Sequence, residues 1–251
     1  MTTDITDLGS RAKRLGLYGL AAQVEALQQI WVPNLLDIEE RDRQRRSLER
    51  RKRNAQLPRF KPMSDFDWNW PKRIDRETIS DLFTLAFIEE GANIILLGPN
   101  GVGKTMIAYN LAHDALLRGH TVKATTASDM LNDLAAQDGT TALHRRMRRY
   151  VGPRLLVVDE VGYLSYDNRH ADLLYEIVSR RYKDEKPTLI TTNKPFSEWP
   201  DVFPNAGCVV TLIDRLMHKA EVIQVEADSY RLKEARDRSH RKAKARTKKG
   251  D

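Results

Sequence analysis

The stretch GPNGVGKT, residues 98–105, satisfies the pattern Gly-x4-Gly-Lys-Ser/Thr without a mismatch and leaves the chain around it few options. Glycines at those positions let backbone N–H groups converge on phosphate oxygens, and the partial positive charge of a helix N-terminus favours the same anion. A strand must therefore deliver the loop and a helix must leave it. An apolar run, Asn93–Leu97, precedes it, and residues 105–118 follow with helical periodicity until Gly119. Nucleotide binding is expected, with Gly98, Pro99, Asn100, Gly101, Val102, Gly103, Lys104, Thr105 and Met106 as the cradle. Lys104 is expected to reach the β- and γ-phosphates of ATP, and the Thr105 hydroxyl to ligate Mg2+.

Further strand-like and helical segments alternate after the loop. Strands are expected at 121–125, 155–158, 188–192 and 221–225. Helices are expected at 142–150, 171–182 and 209–217, with another after Ser128 as its N-cap. Such alternation gives a parallel sheet with helices on both faces. Ahead of it, Leu20, Val24, Leu27 and Trp31 recur at helical spacing. Pro33 interrupts that pattern, and a second helix is expected from about Asn34 with its acids early and its arginines late. The chain thus reads as a small N-terminal helical domain (1–58), a linker (59–75), a nucleotide-binding core (76–230) and a basic segment (231–251) expected to be disordered.

Two carboxylates follow the buried run LLVV at the end of a strand, where ligands of parallel sheets bind. Asp159 is expected to hold Mg2+ through water, and Glu160 to act as general base on the attacking water. An acid directly after the metal-binding aspartate argues for hydrolysis. Asn193, at the end of the next strand, stands where an amide can contact the γ-phosphate or that water. This set resembles the site of AAA+ ATPases, which implies an arginine donated by a neighbouring subunit. Arg215 is the first candidate and the Arg180–Arg181 pair the alternative. Only 37 residues, 194–230, separate Asn193 from the basic segment, too few for a complete helical lid. The aromatic residues of the linker, Phe66, Trp68 and Trp70, either cover the base or pin the linker to the core.

Charge narrows the partner. The net charge is +7, and residues 231–251 hold ten Lys/Arg against three acids. Residues 41–53 hold eight against two, so the rest of the chain is slightly acidic. Basic runs of this kind suit a polyanion. Each also reads as a solvated helix face or a solubilising tail, as do Arg145, Arg146, Arg148 and Arg149. The lone Cys208 excludes a disulfide framework, no run is long and apolar enough to span a membrane, and MTTDITDLGS lacks the pattern of a secretory signal, so a cytoplasmic location is expected.

The segments FDWNWP, LLVVDEVGYL, TTNKPFSEWPDVF, LIDRLMHKAEVI and DSYRLK together resemble the IstB-like family, helper ATPases encoded beside the transposases of bacterial insertion elements and related to the DnaC helicase loader. The similarity runs from about residue 8 to Lys233. It implies an ATP-dependent, DNA-binding AAA+ protein without the usual lid. Such a protein self-assembles as a homo-oligomer on duplex DNA and recruits or activates a partner transposase. The alternative is a replicative helicase loader, which would favour single-stranded DNA.

Overall fold

Leu8, Ala12, Leu15, Leu27, Val32 and Leu36 are the apolar residues of the first 40 that go fully inside, and they organise four helices. These are α1 (Ile5–Arg14), α2 (Tyr18–Ala21), α3 (Val24–Leu27) and α4 (Val32–Ala55). Arg11 ties α1 to α4 by donating to Glu40 at 2.8 and 3.0 Å and to Asp37. That hydrogen bond holds the Glu40 carboxyl below the usual carboxylate range. The single helix expected around residues 18–31 is instead broken at Gln23, whose backbone is extended (φ −111°, ψ 97°). The periodic residues there do not share a buried face: Val24 is 58% and Trp31 53% exposed, Leu20 is partly buried, and only Leu27 is fully inside. α4 starts at Val32, earlier than expected, because Pro33 in a first turn lacks only an N–H that would have had no partner. Beyond Leu36, ion pairs such as Arg43–Glu39 and Arg46–Asp42 line its exposed surface. Each contributes little to stability.

The computed structural model describes residues 5–163, 167–203 and 207–230, with Leu232, Lys233, Ala235, Arg238 and Ser239 beyond them. The expectation of disorder in 231–251 therefore falls mostly outside the described residues, and the five described there are helical. Two compact units are present, Met1–Arg53 and Asn54–Asp251. The second opens with two short helices that periodicity did not reveal, α5 (Arg76–Leu82) and α6 (Ala86–Glu90). It continues β1 (Asn93–Leu97), α7 (Lys104–Leu117), β2 (Val122–Thr126), α8 (Ala127–Ala135), α9 (Thr140–Val151) and β3 (Leu155–Val161). Then come α10 (Asn168–Lys183), β4 (Thr188–Thr192), α11 (Trp199–Val202), α12 (Val209–Met217) and β5 (Ala220–Gln224). Thr126, not Ser128, caps α8, its hydroxyl accepting from the Asp129 N–H at 3.0 Å.

The strands form one parallel sheet in the order β2-β3-β4-β1-β5. Successive side chains leave a strand on opposite faces. Ile95, Leu156, Val158 and Ile190 accordingly enter one core with α8, α9, α10 and α12. Ile94, Leu96, Leu155, Val157 and Leu189 enter the other with α5, α6 and α7. Each such side chain contributes roughly 1.5–3 kcal/mol by leaving water. This is why the strands read as continuous apolar runs rather than as alternating ones.

Arg181, an alternative trans arginine at the sequence level, lies inside its own subunit at 1% exposure. Its guanidinium donates to the carbonyls of Tyr150, Pro153, Arg154 and Pro187 and to the Thr188 hydroxyl. It joins the α9–β3 and α10–β4 turns and is not available to a neighbour. Among the described residues no helical lid follows β5. Instead the chain returns to the P-loop, where the Tyr230 N–H donates to Gly101 O at 3.0 Å.

Candidate active site

The sheet order places β1 between β4 and β5, so the loop leaving β1 is wedged between their ends. Gly98 N–H donates to Thr192 O at 3.1 Å on one side, and Val225 N–H donates to Leu97 O at 2.8 Å on the other. A Cβ on Gly98 would collide with the Val225 carbonyl, so only glycine fits there. Gly103 has φ +103°, and a Cβ on it would stand 2.6 Å from the Phe66 ring. Lys104, 4% exposed, donates through Nζ to the carbonyls of Gly98 and Pro99, both at 2.7 Å. The cation is thereby held against the loop it serves. These are the residues of a phosphate cradle, and they fit ATP.

The carboxylates emerge where β3 is irregular. Val158 faces Ile190 on β4, but Val161 faces Thr192, so β3 carries one extra residue. Glu160 takes up that bulge with φ +62°, a left-handed backbone uncommon for anything but glycine. The consequence is a division of labour. Asp159 stays buried at 3% exposure, whereas Glu160 is exposed and lines the cavity over the P-loop. Thr191 braces both, donating its hydroxyl to Asp159 and accepting the Glu160 N–H at 2.9 Å.

Thr105 Oγ1 lies 3.0 Å from Asp159 Oδ1, and the Tyr109 hydroxyl donates to Oδ2 at 3.0 Å. Burial first, then the Asp159 charge, pushes the Tyr109 phenol well above its ordinary value, so it remains a donor. A hydroxyl and a carboxylate at that separation are hard oxygen donors suited to Mg2+. Tyr109 was not legible as a site residue. Its position, one turn beyond Thr105 on α7, is the signal that could have found it.

Asn193 directly follows β4 and does not line the cavity over the P-loop, and its Oδ1 is buried with no hydrogen-bond partner among the described residues. A buried acceptor left unpaired costs about 1–3 kcal/mol, so it stands ready for a donor. Arg215 lies elsewhere: its guanidinium stacks 4.8 Å above the Tyr175 ring and bonds Ser179. It shares a cavity with Gly91 and Asn93, at the opposite end of β1 from the P-loop. With five residues of strand between, it is separated from its own loop by roughly 15 Å. Of the basic residues of α9, Arg146 is paired with Asp133 and Arg149 with Gln56, while Arg145 and Arg148 are exposed.

The cavity above the loop measures about 360 Å³. Phe66 and Trp70 line it, as does Tyr230 from the C-terminal return. Trp68 does not. It packs on Phe66 with centroids 4.7 Å apart and takes Arg76 over its ring at 5.0 Å, which pins the linker.

The profile of the family described as IstB-like ATP binding protein matches residues 12–238. The chain belongs to this family. It is 35% identical over 202 residues to the protein described as ATP-binding in insertion sequence IS5376 of Geobacillus stearothermophilus, covering 80% of each chain. Among solved structures it is similar to AMPPCP-bound DnaA from Aquifex aeolicus, with a TM-score of 0.57 and 19% identity over 69% of this chain and 52% of that one. It is also similar to the DnaC helicase loader, with a TM-score of 0.51 and 20% identity over 63% and 98%. The fold is therefore that of the AAA+ P-loop proteins, and this IstB-like chain is an ATP-binding member of it.

Proposed function

We infer that this IstB-like protein hydrolyses ATP, and that the ATP-bound state assembles on duplex DNA and recruits or activates the transposase of an insertion element. The observation that carries the hydrolytic reading is the β3 bulge, which keeps Asp159 among hydroxyls while presenting Glu160 to the cavity. Lys104 binds the β- and γ-phosphates. Thr105 and Asp159 hold Mg2+, which supplies charge neutralisation at the phosphates when bound. Glu160 accepts a proton from a water as its oxygen forms a bond to the γ-phosphorus. The bond to the β-phosphate oxygen breaks, giving ADP and phosphate. Asn193 Oδ1 accepts from that water and orients it. Arg215 is too far from its own P-loop and serves the adjacent subunit, which makes an oligomer a condition of full activity.

The transposition role rests on the family, whose relatives are named for insertion sequences. Duplex DNA as partner is supported by the basic runs at 41–53 and 231–251 on a chain otherwise slightly acidic. Deleting residues 234–251 removes eight Lys/Arg and spares the P-loop. Affinity for duplex should fall, and the slope of log affinity against log salt should flatten by roughly 0.9 for each lost phosphate contact, or about 3–4 for four. The loss should be alike for all sequences, because phosphate contacts position DNA without reading it. Titration of labelled duplex and of single strands at several salt concentrations checks this. An unchanged slope removes the tail from the DNA site, and a preference for single strands favours a helicase loader instead.

A further inference from the structure

With no helical lid among the described residues, this ATP-binding core must hold the base of its nucleotide by other means. Two segments far apart in sequence close the cavity over the P-loop. They are the linker around residues 66–71 and the return that follows β5. Arg73 and Glu226 exchange backbone hydrogen bonds of 3.1 and 2.9 Å. The Trp70 indole N–H donates to Asp228 O at 2.7 Å. Lys233 pairs with Asp67 at 3.1 Å and lies 4.3 Å from the centre of the Trp70 ring. Because Tyr230 N–H is bonded to Gly101 O, the return is anchored on the phosphate loop itself.

These contacts set Phe66, Trp70 and Tyr230 into the cavity lining, facing the run Gly101–Met106. The Trp70 and Tyr230 rings meet edge-on, with centroids 5.9 Å apart and planes at 78°, a geometry that fixes both rings. Lys233 stands outside the lining, so its cation backs Trp70 without occupying the space. Charged residues of both signs, Arg59, Lys61, Asp65 and the Lys233-paired Asp67, share the wall. A flat, apolar, π-bearing surface of this kind suits the face of a nucleobase.

We propose that Phe66, Trp70 and Tyr230 form the nucleobase seat, the base stacking on these rings. The C-terminal return thus does what a lid does in other members of the fold. This rests on the ATP-binding reading, and the experiment separates the two.

Binding of ATP and inorganic tripolyphosphate is measured for the parent, Trp70→Ala, Trp70→Phe, Tyr230→Ala and, as a pinning control, Trp68→Ala. A 2-aminopurine riboside triphosphate reports stacking directly through quenching of its fluorescence. The parent should bind ATP more tightly than tripolyphosphate and should quench the analogue. Trp70→Ala and Tyr230→Ala should each weaken ATP by about 5- to 150-fold, the range for one aromatic stack on a base, and lose quenching. Tripolyphosphate affinity should stay unchanged in both, Trp70→Phe should retain most of the ATP affinity, and Trp68→Ala should retain quenching. ATP affinity unchanged in both alanine variants, or tripolyphosphate falling in step with ATP, would overturn the seat and leave the P-loop assignment standing. A parent that binds neither ATP nor tripolyphosphate would overturn the ATP reading, and the seat with it.

Discussion

Glu160→Gln should bind ATP as the parent does and hydrolyse it some 10²- to 10⁴-fold more slowly, the usual contribution of a positioned general base. The substitution is nearly isosteric, and the backbone features that place residue 160 do not depend on its carboxylate. The φ of +62° lies in a bulge set by the register of β3 on β4, and the N–H donates to Thr191 whichever side chain is present. Asp159, with Thr105, Tyr109 and Thr191 around it, is untouched. Only the proton acceptor is lost. The variant should therefore accumulate in the ATP-bound state and remain on DNA longer than the parent. Phosphate release in single turnover, with ATP affinity measured alongside, checks both halves. Turnover equal to the parent's would remove Glu160 as the base, and a matching loss of ATP affinity would make its role one of binding.

Lys104→Ala should abolish tight ATP binding. The ammonium is the main charge partner of the β- and γ-phosphates, and hydrogen bonds to charged groups contribute about 1.5–3 kcal/mol each. Two such bonds correspond to a loss of at least roughly 100-fold in affinity. The loop itself should survive, because Gly98 is held by backbone bonding on the β4 side and Leu97 on the β5 side. Thermal unfolding without nucleotide should stay near the parent's, while the upward shift that ATP gives the parent should vanish. Binding within a few-fold of the parent's would contradict the assignment of residues 98–105 as the phosphate site.

How much of this could be read from residues alone depends on how local each feature is. The P-loop, Asp159 and Glu160 are legible because the chemistry sits in one short stretch, and the apolar runs beside them announce buried parallel strands. The burial of Asp159 beside an exposed Glu160 is not legible, since it depends on a one-residue slip in pairing with β4. Thr191 and Tyr109 reach Asp159 only through that pairing and through the packing of α7 on the sheet. The seat joins residues more than 150 apart, so nothing near Trp70 hints at Tyr230 or Asp228. The misread helix around residues 18–31 shows the converse. Its spacing was helical, yet Val24 and Trp31 face water, and periodicity without burial does not hold a helix together.

Assembly is the claim on which the functional reading turns, since the proposed role of Arg215 is to complete the site of a neighbouring subunit. Mass photometry of the parent protein with a duplex long enough for several copies would test it, with ATP and Mg2+, with ADP, and without nucleotide. A multi-subunit species on the duplex that requires ATP, disperses with ADP and persists with Glu160→Gln is the predicted result. A single subunit on DNA under all three conditions, or an assembly indifferent to nucleotide, would contradict it.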